Sequence, residues 1–338
     1  LGDIRFTKND FAGAIKYYDQ SVALADKDAV VFNNRGKAKQ NTGDAKGAVA
    51  DFDKALQLNP TYTKALFNRG MARFDIQDYS GSVEDLEKAK SPEGDPQEIQ
   101  RRLGISKYNL NLPDAARVNL EAALKAGSKD PKVMLYTGYL RFENNDFKGA
   151  VDLLTSAEMA GEKDIKLNEK RGKASFQLKD YKAAVVDLKK VADKEGADLA
   201  TVEALGISYL NLEQVKEALP FLEKAASLGS KNKDVYYQLG NARFRQNDFD
   251  AAIESYNKAI DLGASDEVIF NNRGKAKLNK NLAKESLEDF TRALSIRQDY
   301  VLAYKNRARA RFQVEEFPGV ITDLAVVVAR NQADAEDY

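Results

Sequence analysis

The sequence predicts an all-α protein built by stacking antiparallel helix pairs, and three observations predict it. Glycine recurs every 34 residues, at Gly2, Gly36, Gly70, Gly104, Gly138, Gly172, Gly206, Gly240 and Gly274, and the next step lands on Ala308. Each 34-residue stretch carries an apolar stripe at i, i+4, i+7 and i+8, the spacing of one helix face. Turn and cap residues split each stretch near its middle, and nowhere do apolar and polar residues alternate as in a half-buried strand.

With Ala29 as position 1 of the frame, the glycine is position 8, in the first helix. Nine of the 21 glycines fall on this phase without insertion or deletion. The break follows at positions 15 to 17, as in Asn9-Asp10, Gly43-Asp44, Gln77-Asp78, Asn145-Asp146, Lys179-Asp180 and Asn247-Asp248. The Asp is placed to cap the second helix. Pro113 and Pro318 fall near the first turn of that helix, where a missing N–H costs little. Inside the second helix, position 20 is small (Ala14, Ala48, Ser82, Ala116), as is position 27 (Ala55, Ala89, Ala123, Ala157). Position 24 is large (Tyr18, Phe52, Leu86, Leu120, Tyr256, Phe290). Small and bulky residues in this alternation mean close helix contacts with knobs between them. Gly127, Gly161, Gly229 and Gly263 share position 31 and are expected to end the second helix in a left-handed cap. Pro220 lies inside a second helix, and a kink or a late helix start is expected there.

The frame divides the chain into ten repeats: 1–28, 29–62, 63–96, 97–130, 131–164, 165–198, 199–232, 233–266, 267–300 and 301–334, with 335–338 as a short tail. A 34-residue helix–turn–helix unit with Gly at 8, Ala at 20, an aromatic or Leu at 24 and Ala at 27 resembles the tetratricopeptide repeat. Residues 32–60, FNNRGKAKQNTGDAKGAVADFDKALQLNP, carry the resemblance best. The resemblance implies an α-solenoid: a right-handed superhelix of helix pairs whose first helices line a concave groove that binds a protein or peptide.

The chain departs from that family at position 7, usually apolar. Here it is Arg35, Arg69, Arg171, Arg273 and Arg307 in five repeats, and those same repeats carry Asp51, Asp85, Asp187, Asp289 and Asp323 at position 23. Random placement gives full agreement about once in 250 trials, and co-varying positions usually touch. We therefore expect five Arg–Asp bridges inside repeats. Position 11, usually bulky, is basic in eight repeats, among them Arg5, Lys39, Arg73, Lys107 and Arg243. It reads either as aliphatic stems covering apolar surface or as a basic stripe for an acidic ligand. The aromatics at position 12, such as Phe74, Phe142 and Phe244, read as packing between repeats or as ligand platforms.

Composition removes most chemistry. Without His or Cys there is no imidazole base, no thiolate and no sulfur or histidine metal site. No phosphate loop or calcium loop appears, so neither an enzyme nor a cofactor is expected. Lys+Arg and Asp+Glu are equal at 52 each, with acids interleaved among the bases, which argues against nucleic acid. No apolar run reaches the length of a membrane span. The absence of Cys tilts compartment toward a bacterial envelope without deciding it.

The groove is expected at positions 2, 5, 6, 9, 12 and 13 of the first helices. Candidate peptide-binding residues are Asn33, Asn34, Lys37, Lys64, Asn68, Tyr136, Tyr139, Asn271, Asn272, Lys275, Asn306 and Arg309. Asn recurs at position 6 as Asn34, Asn68, Asn272 and Asn306. An amide donates and accepts at once, so such a ladder can hold a peptide backbone; equally, it can bridge neighbouring helices. A subclass of the resembled family clamps a terminal carboxylate. Asn34 and Lys64 match its pattern, but Asp3 and Asn68 do not, and Asp3 would repel a carboxylate.

Residues 32–39 (FNNRGKAK) recur identically at 270–277, seven frames on. Two equivalent groove sites follow: Asn33, Asn34, Lys37 and Asn68, then Asn271, Asn272, Lys275 and Asn306. An extended ligand engaging both would gain avidity. The competing reading is an architectural subunit that self-associates as a homo-oligomer or end to end through uncapped terminal repeats. Leu1 stands mid-frame, and the final apolar helix, VITDLAVVVA, has no solvating helix after it. The chain therefore reads as part of a larger protein or as an oligomer subunit.

Overall fold

A computed structural model describes residues 1–24, 27–89, 95–193 and 197–330. The described residues are helical with short connections, and none is in a strand. The expected tail at 335–338 lies outside them. The chain forms two compact units, Leu1–Lys170 and Arg171–Tyr338. The first holds α1 (Gly2–Thr7), α2 (Phe11–Ala23), α3 (Ala29–Asn41), α4 (Ala45–Leu58), α5 (Thr63–Asp75), α6 (Tyr79–Ala89), α7 (Pro96–Asn109), α8 (Pro113–Lys125), α9 (Pro131–Glu143) and α10 (Phe147–Met159). The boundary falls within α11 (Ile165–Gln177). The second unit holds α12 (Tyr181–Ala192), α13 (Leu199–Asn211), α14 (Val215–Ser227), α15 (Lys233–Arg245), α16 (Phe249–Asp261), α17 (Glu267–Asn279), α18 (Ala283–Ile296), α19 (Val301–Gln313) and α20 (Phe317–Ala329). Within each unit a helix packs on its sequence neighbours, and odd-numbered helices also touch the next odd-numbered helix, as α3 touches α5 and α15 touches α17. This is the paired packing of an α-solenoid.

The 34-residue glycine has a steric cause. A Cβ at Gly36 would lie 2.7 Å from the Phe52 ring, and one at Gly240 would lie 2.6 Å from Tyr256. At Gly104 it would lie 2.7 Å from Leu120 Cγ and 2.9 Å from the Leu120 backbone nitrogen. The position-24 side chain thus rests directly on the partner helix backbone at these glycines, and the tenth repeat accommodates the smallest side chain, Ala308, at the same position. The small positions seal the same seam: Ala48, Ala55, Ala116, Ala123, Ala252 and Ala259 are fully buried.

The turn inside each pair follows from the cap chemistry. Asn9, Gln77, Asn145, Lys179 and Asn247 adopt positive φ, as does Gly43. The next residue then folds back to cap the second helix: Asp10 accepts the Gly13 N–H, Asp44 the Gly47 N–H and Asp146 the Gly149 N–H. Gly127, Gly161, Gly229 and Gly263 also have positive φ, ending α8, α10, α14 and α16 as expected. The position-12 aromatics close the turn. Phe74 meets Tyr79 edge-on at 6.0 Å, Phe142 meets Phe147 at 5.8 Å and Phe244 meets Phe249 at 5.4 Å. In these repeats the ring partner is five residues away, because an i,i+5 pair spans the turn, whereas Tyr108 at the same position stacks on Tyr136 of the next repeat. Pro113 occupies the first turn of α8 and Pro318 that of α20. Pro220 does not delay α14, which begins at Val215 and carries the proline inside it. Pro220 has no N–H to donate to the Lys216 carbonyl, one turn in from the helix start.

Candidate functional site

Two side-chain networks recur around the first helices, an ionic one facing the second helices in five repeats and an amide one joining neighbouring first helices in two places. The first is ionic. Arg35 Nη2 lies 2.5 Å from Asp51 Oδ1 and its Nε 2.9 Å from Asp51 Oδ2. The same fork joins Arg69 to Asp85 at 2.6 Å, Arg171 to Asp187 at 2.6 Å, Arg273 to Asp289 at 2.6 Å and Arg307 to Asp323 at 2.6 Å. All five carboxylates are buried. Two planar groups sharing two parallel hydrogen bonds fix both position and angle. The Asp51 fork holds the Arg35 guanidinium charge more firmly than usual, against the pull of burial.

Arg35, Arg69, Arg273 and Arg307 each have a second partner residue that covariation does not disclose. Arg35 Nη1 donates to Asp19 at 2.8 Å, Arg69 Nη1 to Asp53 at 2.7 Å and Arg273 Nη1 to Asn257 at 2.7 Å. These acceptors sit on the second helix of the preceding repeat. One guanidinium therefore ties its own second helix to the previous one. The basic residue at position 11 joins the same carboxylate: Lys39 meets Asp51 at 2.9 Å, Arg73 meets Asp85 at 2.8 Å and Lys277 meets Asp289 at 2.8 Å. Where position 23 is Asn119, Lys107 donates to it at 3.0 Å. In these repeats position 11 completes the buried ion cluster, whereas Arg5 and Arg141 pair instead with the exposed cap residues Asp10 and Asp146.

The second network is made of amides. In the first unit, Asn68 Nδ2 donates to Asn33 Oδ1 at 2.9 Å and Asn33 Nδ2 to Asn34 Oδ1 at 3.2 Å. Asn34 Nδ2 in turn donates to Asp3 Oδ1 at 3.1 Å. The Tyr18 hydroxyl donates to the same Asp3 oxygen at 2.6 Å. In the second unit, Asn306 donates to Asn271 at 2.9 Å, Asn271 to Asn272 at 3.4 Å and Asn272 to Asn241 at 3.3 Å, while the Tyr256 hydroxyl donates to Asn241 at 2.8 Å. Each ladder crosses three first helices: α5, α3 and α1, or α19, α17 and α15. The rungs Asn33, Asn271 and Asn306 are buried, whereas Asn34, Asn68, Asn272 and Asn241 are partly exposed.

The ladders wall open hollows. Asp3, Asn34, Lys37, Lys64 and Asn68 line one of ≈ 440 Å³ in the first unit. In the second unit Tyr237, Asn241, Arg245, Asn272 and Lys275 line one of ≈ 390 Å³, and Lys275 also borders one of ≈ 570 Å³ with Lys305, Asn306, Arg309 and Phe312. These volumes fall in the range that holds a peptide side chain or short segment. Lys37 lies over the Phe6 ring at 5.9 Å, and Lys275 over Phe244 at 5.2 Å.

Two of the expected groove residues are placed otherwise. Tyr139 is 3% exposed, and its hydroxyl donates to Asp164 at 2.9 Å. Tyr136 stacks on Tyr108 with ring centroids 4.0 Å apart. Burial pushes the Tyr108 hydroxyl up to about 12. These rings pack repeats together; a large flat side chain at a groove position buries itself when a second ring is available. Among the described residues no cluster of three or more metal-ligating side chains occurs, and no described helix is long and apolar enough to cross a membrane.

The chain belongs to the tetratricopeptide repeat family. Residues 33–98 and 101–164 match the family model described as tetratricopeptide repeat, and residues 240–281 match one described as TPR repeat. Similar solved structures include MamA protein, at 23% identity over 50% of this chain and 92% of that one, with a TM-score of 0.43. Yeast Tom70 is 17% identical over 99% of this chain and 91% of that one, with a TM-score of 0.36. A tetratricopeptide repeat protein from Parabacteroides merdae ATCC 43184 is 16% identical over 73% of this chain and 98% of that one, with a TM-score of 0.36. No curated protein matches the chain.

Proposed function

We propose that the chain is a non-enzymatic scaffold of ten 34-residue repeats that binds an extended peptide segment of a partner protein along its first helices. The observation that carries this reading is the pair of amide ladders bordering open hollows. Asn34 and Asn68 each donate one amide hydrogen to the ladder. A carboxamide has a second N–H and further acceptor capacity, which suits a peptide group running alongside. The ladder fixes the amide planes in advance, so little side-chain entropy is lost when a ligand arrives. Recognition then rests on the ligand backbone, and the exposed Lys37 and Lys275 add charge preference.

The test is binding of fluorescein-labelled peptides from a random-sequence library to the full chain, read by anisotropy. Asn34→Ala and Asn272→Ala are each expected to weaken a selected peptide about threefold to tenfold, the worth of roughly one hydrogen bond, with the helical melting curve unchanged. Equal affinity for both variants and the parent contradicts the reading.

A second reading is self-association. Phe317, Ile321 and Val328 on α20 are 52%, 71% and 38% exposed, an apolar face that a partner surface would cover. Light scattering separates the two: a monomer across concentration supports the groove, and concentration-dependent mass supports assembly.

A further inference from the structure

The two amide ladders are copies of one design, yet the residues around them carry different charge. Positions seven frames apart pair Asp3 with Asn241, Thr7 with Arg245, Phe67 with Lys305 and Met71 with Arg309. The ladder of the first unit ends on a carboxylate, exposed at the helix surface, that accepts from Asn34 and Tyr18. The ladder of the second unit ends on a neutral amide, held by the same two kinds of donor, Asn272 and Tyr256. The scaffolding is kept, and the charge at its end is removed.

Most of the surroundings change in the same direction, Lys64 being the exception because Leu302 stands seven frames on. Two cations, Lys37 and Lys64, and the Asp3 carboxylate border the first hollow. Arg245, Lys275, Lys305 and Arg309 border the two hollows of the second unit, which share Lys275 and include no carboxylate among their lining residues. Those cations come from successive first helices, Arg245 on α15, Lys275 on α17, and Lys305 and Arg309 on α19. Arg245, Lys275 and Arg309 are exposed.

We propose, building on the peptide-groove reading, that the second unit selects a segment rich in carboxylates and that the first unit does not. The occupant is an extended acidic peptide, whose backbone meets the amides Asn241 and Asn272 while its side chains meet the cations beside them. A carboxylate near an amide-lined, cation-bordered wall gains charge-assisted hydrogen bonds. The same carboxylate beside Asp3 meets like charge and is repelled. Charge complementarity sets the preference and the salt dependence; the ladder sets the position.

The experiment compares fluorescein-labelled Glu-Ser and Gln-Ser alternating decapeptides on the full chain at two salt concentrations. The acidic peptide should bind more tightly, and the difference should shrink at high salt. Lys275→Gln and Lys37→Gln alter equivalent exposed residues and should not disturb folding. Lys275→Gln is expected to weaken the acidic peptide about fivefold, the scale of one surface charge contact, with Lys37→Gln changing it less than about twofold. Asn241→Asp, which copies the first unit, should weaken it at least as much as Lys275→Gln and leave the Gln-Ser peptide unchanged. Equal effects of Lys275→Gln and Lys37→Gln, or equal affinity for both peptides, overturn this inference and leave the groove reading standing. Failure of every peptide to bind overturns both.

Discussion

Arg171 and Asp187 suit a test among the five ion pairs, because position 11 of their repeat is Ser175 rather than a cation and a further cation, Lys190, stands 3.6 Å from the carboxylate on a half-exposed side chain. Arg171 is 8% exposed and Asp187 3%. Arg171→Leu takes the two-pronged partner from a buried carboxylate and should cost about 1–3 kcal/mol. Adding Asp187→Leu should restore much of that, since apolar pairs of similar volume replace buried ion pairs readily. A double-mutant cycle on thermal or urea unfolding measures the coupling, and additive losses would contradict a bonded pair. Ser82 tests the opposite case. It occupies a position that is alanine in most repeats, and its buried hydroxyl has no hydrogen-bond partner. Ser82→Ala should be neutral or stabilising by up to about 1 kcal/mol; a clear loss of melting temperature would mean that the hydroxyl is bonded. Glu98 supplies the acid dependence. Burial pushes its carboxyl up, but hydrogen bonds from Arg101 and Arg102 outweigh burial and hold it below the ordinary carboxylate range. A carboxyl lowered in the folded state stabilises above its unfolded value of about 4.3, and that stability is lost as pH falls through the folded value. Glu98→Gln should flatten the fall in melting temperature below about pH 4, and an unchanged slope would remove Glu98 from the account.

At the scale of the helix pair, close approach decides what is tolerated. Gly104→Ala would gain about 1 kcal/mol of helix propensity. Its Cβ would sit 2.7 Å from Leu120 Cγ and 2.9 Å from the Leu120 backbone nitrogen, so α7 and α8 must separate. Overpacking of this kind costs about 1–3 kcal/mol and should win; a raised melting temperature would show that the pair can open without penalty. Much of this level was legible in the sequence. The glycine period, the small positions and the Asp caps each have one physical use at their spacing, so residue type alone locates them. The ion cluster was half legible. Arg and Asp at positions 7 and 23 change together, but the third acceptor is Asp19, Asp53 or Asn257, and any short acceptor serves, so no residue pattern marks it. The amide ladder was ambiguous for a related reason. An asparagine bonds a peptide and another asparagine equally well, and only side-chain direction shows that Asn33 bridges α3 and α5. Tyr139 was misplaced because groove position and burial are the same address on the helix until a neighbouring repeat covers it.

Over the whole molecule, helices in each unit touch only near neighbours along the chain. Stability should therefore accumulate repeat by repeat. Removing everything from residue 301 onward deletes α19 and α20 and should leave the remaining helices folded, with circular dichroism falling in proportion to the residues lost. Collapse of the entire helical signal would contradict additive repeats. The function proposed here depends on which face of the array meets its partner, and hydrogen exchange of the full chain with and without a selected bound peptide tests that most directly. Slower exchange on binding should appear in first helices, in α3 and α5 or in α15, α17 and α19, with α4, α16 and α18 unchanged. Slowing confined to the second helices would contradict the groove and place recognition on the opposite face.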